Sequence, residues 1–209
     1  MVFSRVSVFL LGKREKLILA LVAIWLSLGV AGLCLILAYE ARGSAADSTP
    51  LNWPDGTQIP KNTDGATLLM FVHPNCPCTS ASLGELEKLI ARHQDDVRAF
   101  VIFSKPLDAD ESWDRTDLLK TAELIPGVQI LQDVGNEDAR RFHATTSGQT
   151  LLYDRNGHLA FSGGITHSRG HSGDNAGRDA IESFLTQGFT ERDRTPVFGC
   201  AITPAAVQQ

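Results

Sequence analysis

The strongest pattern along the chain is an apolar run over residues 17–39, LILALVAIWLSLGVAGLCLILAY, 23 residues without a charge or a proline. About 20 such residues carry a helix across the hydrocarbon core of a bilayer. No polar face interrupts the run, as one would on a helix lying over a globular core. The chain therefore divides into residues 1–16, a membrane span over 17–39, and a larger remainder. Residues 40–60, rich in Gly, Ser, Asp and Pro, read as a linker. Beyond it, apolar runs of strand length alternate with amphipathic ones. Residues 66–72 (ATLLMFV) are continuously apolar, the pattern of a strand covered on both faces. Residues 79–94 carry Leu83, Leu86, Leu89 and Ile90 at helical spacing. A second buried strand follows at 97–103, a helix at 113–125 closed by Pro126-Gly127, a short strand at 128–131 and a short helix at 137–142. Then the pattern changes: a strand at 150–153, the turn Asp154-Arg155-Asn156-Gly157, and a returning strand at 158–162 form a hairpin. A glycine-rich loop over 163–174 leads to a last helix at 175–185, capped by Asp174 or Asn175. This order predicts an α/β domain over 61–190, with a mixed central sheet and helices on both faces, and a C-terminal tail over 191–209.

Charge adds orientation. Arg5, Lys13, Arg14 and Lys16 precede the apolar run against the single acid Glu15, which predicts a cytoplasmic N-terminus. The domain then faces the periplasm or the cell exterior. A cleaved signal peptide has a shorter apolar core and a small-residue cleavage site. Here the core is too long and AYEARGSAA is a poor site, so a retained anchor is expected. A lipoprotein signal fails because Leu33 precedes Cys34. Residues 1–42 carry a net charge of +3 and the remainder −8, within a total of −5. An acidic domain argues against nucleic acid as a partner.

Four cysteines are present: Cys34 within the span, then Cys76, Cys78 and Cys200. Three are too few for a disulfide scaffold, and two of them one residue apart suit reactive thiols or metal ligands better. Cys76-Pro77-Cys78 falls between the first buried strand and its helix. A helix N-terminus offers free N–H groups and the positive end of the helix dipole, both of which stabilise a thiolate. Pro77 would fix the first turn, the Thr79 hydroxyl could donate to the Cys76 thiolate, and His73 could supply a further polar neighbour. A Cys76–Cys78 disulfide would close a small, strained ring. Cys200 is the other candidate resolving thiol.

The segment LLMFVHPNCPCTSASLGELEKL resembles the active-site segment of membrane-anchored thioredoxin-like proteins used in cytochrome maturation and periplasmic reduction. The resemblance implies a thioredoxin-like fold and aligns Cys76 with the first cysteine of their Cys-x-x-Cys and Thr79 with the second, Cys78 lying between. It also aligns Gly148 with the cis-proline that, in ordinary thioredoxins, helps position the substrate backbone and keeps metals off the cysteines. With TTSGQTLLYDRNGHLAFSGGITHSRGHSGDNAG and PVFGC, the similarity extends over about residues 64–202 to the RedB-like family of bacterial membrane-anchored thioredoxin-like proteins.

Hairpin strands are antiparallel, so the loop after the hairpin should return to the cysteine edge of the sheet and bring His167, Arg169 and His171 near Cys76. Arg169 would serve as a cation for a thiolate or an anionic substrate. The first function expected is thiol–disulfide exchange, with Cys76 as nucleophile, Cys78 or Cys200 resolving, and Thr79 assisting. His73, Pro77, Gly148 and Arg169 would contact the substrate. Partners would be protein thiols or disulfides and a membrane electron donor, because no nucleotide or flavin motif occurs. The second is copper binding and delivery through Cys76, Cys78, His167 and His171, since soft thiolates with imidazole suit copper. A non-catalytic interaction module is the third.

Overall fold

The computed structural model describes residues 12–46, 48–110, 112–113 and 115–202. It divides into two compact units, Met1–Arg42 and Gly43–Gln209. The first contains α1, Lys13–Glu40, a single helix of 28 residues. At 1.5 Å per residue it is about 42 Å long, more than a bilayer core of about 30 Å requires. It is apolar enough to cross a membrane, and none of its apolar stretch is buried within the chain. Charged residues continue the helical backbone at both ends of the apolar run. Glu15 accepts a hydrogen bond from the Gly12 N–H at 2.8 Å. The expectation for Arg5 falls outside the described residues.

The second unit is built on five strands: β1 Ala66–Val72, β2 Val97–Lys105, β3 Val128–Val134, β4 Gln149–Tyr153 and β5 Leu159–Gly163. Helices α2 Thr79–His93, α3 Asp117–Glu123, α4 Glu137–Arg141 and α5 Ala176–Gln187 complete it. The sheet order is β3-β2-β1-β4-β5. β1, β2 and β3 are parallel, while β4 is antiparallel to β1 and β5 to β4. Every residue of β1 is buried because the strand is central and both faces are covered. With a side-chain period of two, Leu68, Met70 and Val72 pack with Leu83, Leu86 and Leu89 of α2, Leu118 of α3 and Ile181 of α5. Leu69 and Phe71 pack on the other face with Phe100, Phe142 and Tyr153. Phe71 pairs with Gln149, so β1 ends where β4 begins. That register sets the turn after β1 beside the loop before β4.

Most expected elements appear within two or three residues of their sequence positions. The helix expected at 113–125 is shorter and starts at Asp117. Thr116 caps it by accepting the Leu119 N–H at 3.3 Å. Trp113 instead donates its indole N–H to the Ser104 carbonyl at 2.9 Å. Asn175 caps α5 through the Arg178 N–H at 2.8 Å.

Two segments depart from expectation. The linker of 40–60 is free of the domain only as far as Arg42. From Gly43 onward it packs on the sheet unit: Ala46, Thr49 and Ile59 are buried, Ser44 bridges Val197, and Asn52 bridges His158. The tail of 191–209 is likewise packed as far as Ile202, through bridges from Arg194 to Ser162 and from Ala201 to Thr146. Isolated bridges carry no hydrophobic period, so composition alone reads such segments as loose. Residues 203–209 lie outside the described part.

The loop after β5 is fastened to α2 by Glu85, which is wholly buried. Its carboxylate accepts from the Gly173 N–H at 2.9 Å and Lys88 at 2.8 Å, and it pairs with the Arg178 guanidinium. Burial would raise this carboxyl. The Lys88 and Gly173 hydrogen bonds and the charges of Lys88 and Arg178 prevail and hold it below the ordinary value. Removing the Glu85 charge takes away the closest partner of Arg178, which keeps longer contacts to Asp174, Asp179 and Glu182, at a cost of about 2 kcal/mol. Glu85→Gln is therefore expected to destabilise the protein by about that amount in urea unfolding of the detergent-solubilised chain at neutral pH. Because the folded-state carboxyl is the more acidic one, its contribution is complete above the ordinary carboxylate range. It is lost as pH falls through the lower folded value, so the gap between variant and wild type closes in acid.

Candidate functional site

Cys76 sits in the turn between β1 and α2. Its N–H donates to the His73 carbonyl at 3.0 Å, and the Thr79 N–H donates to the Cys76 carbonyl at 3.2 Å. The helix cap is Cys78, already in a right-handed helical conformation, and Thr79 is the first helical residue. Cys76 thus precedes the helix by a full turn. Pro77 stands between Cys76 and the cap, and the Thr79 N–H on the Cys76 carbonyl begins the tight turn that leads into α2.

What surrounds the Cys76 sulfur instead is a set of side chains from distant parts of the chain. Only 1% of Cys76 is exposed. The Thr79 and Ser147 hydroxyls share a hydrogen bond at 2.6 Å, and both lower the pKa of the Cys76 thiol. Ser147 Oγ also accepts the His73 backbone N–H at 2.9 Å, which ties the end of β1 to the loop before β4. From the far end of the sequence comes Cys200, whose N–H donates to Cys76 Sγ at 3.3 Å and whose thiol also hydrogen-bonds to it.

Residues 199–202 lie along residues 145–147 as a short antiparallel strap. The Ser147 N–H donates to the Cys200 carbonyl at 2.8 Å, the Ile202 N–H to the Thr145 carbonyl at 2.9 Å, and Thr146 bridges Ala201. A Cβ on Gly199 would overlap the Ser147 carbonyl oxygen, so the close approach requires glycine there. On the opposite side of Cys76 an open cavity of about 290 Å³ is lined by Asn75, Pro77, Ser80, Thr116 and Leu118.

The charges divide among the three thiols unequally. Burial pushes the Cys76 thiol up, but the Thr79 hydroxyl, the Cys200 thiol and N–H and the Ser147 hydroxyl outweigh it, leaving Cys76 below its ordinary value. Cys78 is raised by burial and by the neighbouring Cys76, against the opposing charge of Arg169. Cys200 is pushed up to about 11 by partial burial, then by the hydrogen bond and charge of Cys76. The three thiols are coupled, and Cys76 is the most acidic of them. All of the cysteines are free thiols.

The other expected residues fall in varied places. The His73 ring accepts the Asn75 N–H on Nδ1 at 3.2 Å and stands edge-on to Trp113, with centroids 5.5 Å apart. Its burial lowers its basicity. His73 acts at the site through its backbone. Gly148 has φ +86° and donates its N–H to the Phe71 carbonyl at 2.8 Å; a Cβ there would meet Ser82 Oγ at 2.9 Å. No cis peptide occurs among the described residues. The neighbouring Ser147, which sequence reasoning passed over, faces the cysteine. The only signal for it was the run of hydroxyl residues Thr145-Thr146-Ser147 just before the strand.

The loop after β5 does return to this edge, as the hairpin predicts. Arg169 donates to the Gly199 carbonyl at 2.9 Å, and its charge acts on both Cys78 and Cys200. His167 and His171 are exposed, and His171 Nδ1 lies 2.7 Å from the Arg169 carbonyl of its own loop. Among the described residues, no group of three or more His, Cys, Asp or Glu is gathered to hold a metal ion. Cys76, Cys78, His167 and His171, the copper ligands expected, are thus not gathered into one such group.

A central β1 flanked by parallel β2 and antiparallel β4, with a cysteine turn leading into α2, is a thioredoxin-like fold. No protein-family model matches the sequence. No curated protein matches it either. Solved structures do. An uncharacterized conserved protein from Geobacillus kaustophilus superposes with a TM-score of 0.62 at 20% identity, over 78% of this chain and 96% of its own. A hypothetical protein from Sinorhizobium meliloti gives 0.60 at 18% identity, over 77% and 97%. A secreted Mycobacterium tuberculosis disulfide oxidoreductase is a looser likeness, with a TM-score of 0.41 at 16% identity over 58% and 81%. The first two likenesses describe the fold alone.

Hydrogen bonds to a charged group are worth about 1.5–3 kcal/mol. Thr79→Val is accordingly expected to raise the Cys76 pKa, read from thiolate absorbance during pH titration. Alkylation of Cys76 by iodoacetamide at pH 7 should slow roughly threefold, because the lost thiolate fraction is partly offset by higher intrinsic nucleophilicity. Ser147→Ala should act in the same direction.

Proposed function

We propose that the protein is a membrane-anchored thiol–disulfide oxidoreductase in which Cys76 is the attacking thiol and Cys200 resolves. The observation that carries this reading is the pairing at the Cys76 sulfur: a buried thiol of lowered pKa receives both the N–H and the thiol of Cys200. A thiolate is the reactive species in exchange, and a second thiol within hydrogen-bond reach is what resolution needs.

In the reducing direction, Cys76 S⁻ attacks one sulfur of a substrate disulfide. The Cys76–substrate disulfide forms, the substrate S–S bond breaks, and the departing sulfur takes a proton from solvent. Deprotonated Cys200 then attacks Cys76 Sγ. The Cys76–Cys200 disulfide forms and the second substrate thiolate leaves and is protonated. The substrate gains two electrons and the protein loses two. Cys200 is preferred over Cys78 because its N–H already lies on the Cys76 sulfur, whereas Cys78 is fixed by Pro77 and by the start of α2.

Substrates on this reading are protein disulfides. α1 holds the domain at the membrane with the N-terminus cytoplasmic and the domain periplasmic or extracellular, following the positive charge before the span. The oxidised pair is reset by a thiol relay in the membrane.

A chromogenic aryl disulfide separates the steps, because attack releases one thiolate and resolution a second. Wild type and Cys78→Ser should each complete both releases. Cys76→Ser should lose the first, and Cys200→Ser should stop after it with the aryl group held on Cys76, visible as an added mass. Two releases from Cys200→Ser would instead assign resolution to Cys78.

A further inference from the structure

Arg169 was expected to meet substrate, yet its guanidinium is spent on the chain itself. It donates at 2.9 Å to the carbonyl of Gly199, the residue immediately before Cys200. The strap is thus gripped from two sides. Residues 145–147 pair with its backbone along one edge, and Arg169 holds the remaining carbonyl at the cysteine end. The loop that carries Arg169 is itself fastened to α2 through Gly173 and Arg178 on buried Glu85. The cation is therefore fixed relative to the helix that follows Cys76.

Building on Cys200 as the resolving thiol, we propose that Arg169 is its positioning residue. Clamped on the Gly199 carbonyl, it keeps Cys200 over Cys76 and supplies the fixed positive charge that lets Cys200 attack once Cys76 is tied up in a mixed disulfide.

The physical reason is that the anion must change places during the cycle while the cation need not. At rest the negative charge lies on Cys76, and that charge, with its hydrogen bond, keeps the Cys200 proton in place. Bonding of Cys76 to a substrate sulfur removes the charge and leaves a neutral disulfide sulfur. Both influences of Cys76 on Cys200 then vanish, while the guanidinium beside the strap remains and favours the Cys200 thiolate. The charged groups facing Cys200 are Cys76, Cys78 and Arg169. The second thiol is in effect armed by completion of the first step.

The test uses the full chain in detergent with Cys78→Ser throughout, so that Cys200 alone can resolve. The aryl disulfide reports the two releases separately, and their rates are followed against pH. Arg169→Gln is expected to slow the second release about fivefold relative to the first at neutral pH and to move its pH midpoint upward. Arg169→Lys, which keeps the charge without the planar fork, should restore much of the midpoint and less of the rate. The proposal is overturned if Arg169→Gln leaves the ratio of the two rates and the midpoint unchanged. It is also overturned if both releases fall in parallel with no movement of the midpoint, which would mark Arg169 as a structural support only. Failure of the underlying reading looks different: the second release would already be lost in the Cys78→Ser background with Arg169 and Cys200 intact.

Discussion

The site depends on one short piece of backbone pairing, between residues 199–202 and 145–147. It brings a thiol from the far end of the sequence onto Cys76, closes the cysteine off from solvent, and aligns Ser147 with Thr79. The approach is possible because Gly199 lacks a side chain where the Ser147 carbonyl passes. It persists because that loop is itself tied down: Ser147 Oγ holds the His73 N–H, and the Gly148 N–H meets the Phe71 carbonyl at the end of β1. The strap, the cysteine turn and the end of the central strand are therefore one connected hydrogen-bonded unit.

Around that unit the electrostatics are economical. The Thr79 and Ser147 hydroxyls, with the thiol and N–H of Cys200, make Cys76 the most acidic of three coupled thiols. Hydroxyls suit this role because they donate to a thiolate without bringing a charge that would have to be compensated in the buried turn. The single nearby cation is set back on the carbonyl of residue 199, where it acts on Cys78 and Cys200. Glu85, buried under the loop, is the remote part of the same arrangement, because it decides where that loop can lie.

Much of the scaffold was legible from sequence. The 66–72 strand, the helix after it and the hairpin at Asp154 were readable because burial imposes periods of two and 3.6, and because the turn requires glycine at 157. The Cys76 site was readable because cysteines at that junction are rare by chance. The packed linker and tail were not readable, since their residues are buried through isolated bridges that leave no period. Ser147 escaped for a related reason. Attention fell on Gly148, whose positive φ shapes the loop, while the neighbouring hydroxyl became meaningful only when the loop was set against Cys76. His167 and His171 were placed at the cysteine edge by the hairpin, and in that loop both are exposed.

By itself the sequence determined the long apolar helix, the strand and helix order, and the place of the chemistry, all of which follow from local pattern and from neighbours close along the chain. The tertiary structure alone decided how that chemistry is arranged: Cys76 a turn ahead of the helix, Ser147 and Thr79 on its sulfur, Cys200 across it, and Arg169 on the strap. The contacts of Ser147, Cys200 and Arg169 join residues from 30 to more than a hundred positions apart. Such separations are set by strand register and close backbone approach, which local pattern does not encode.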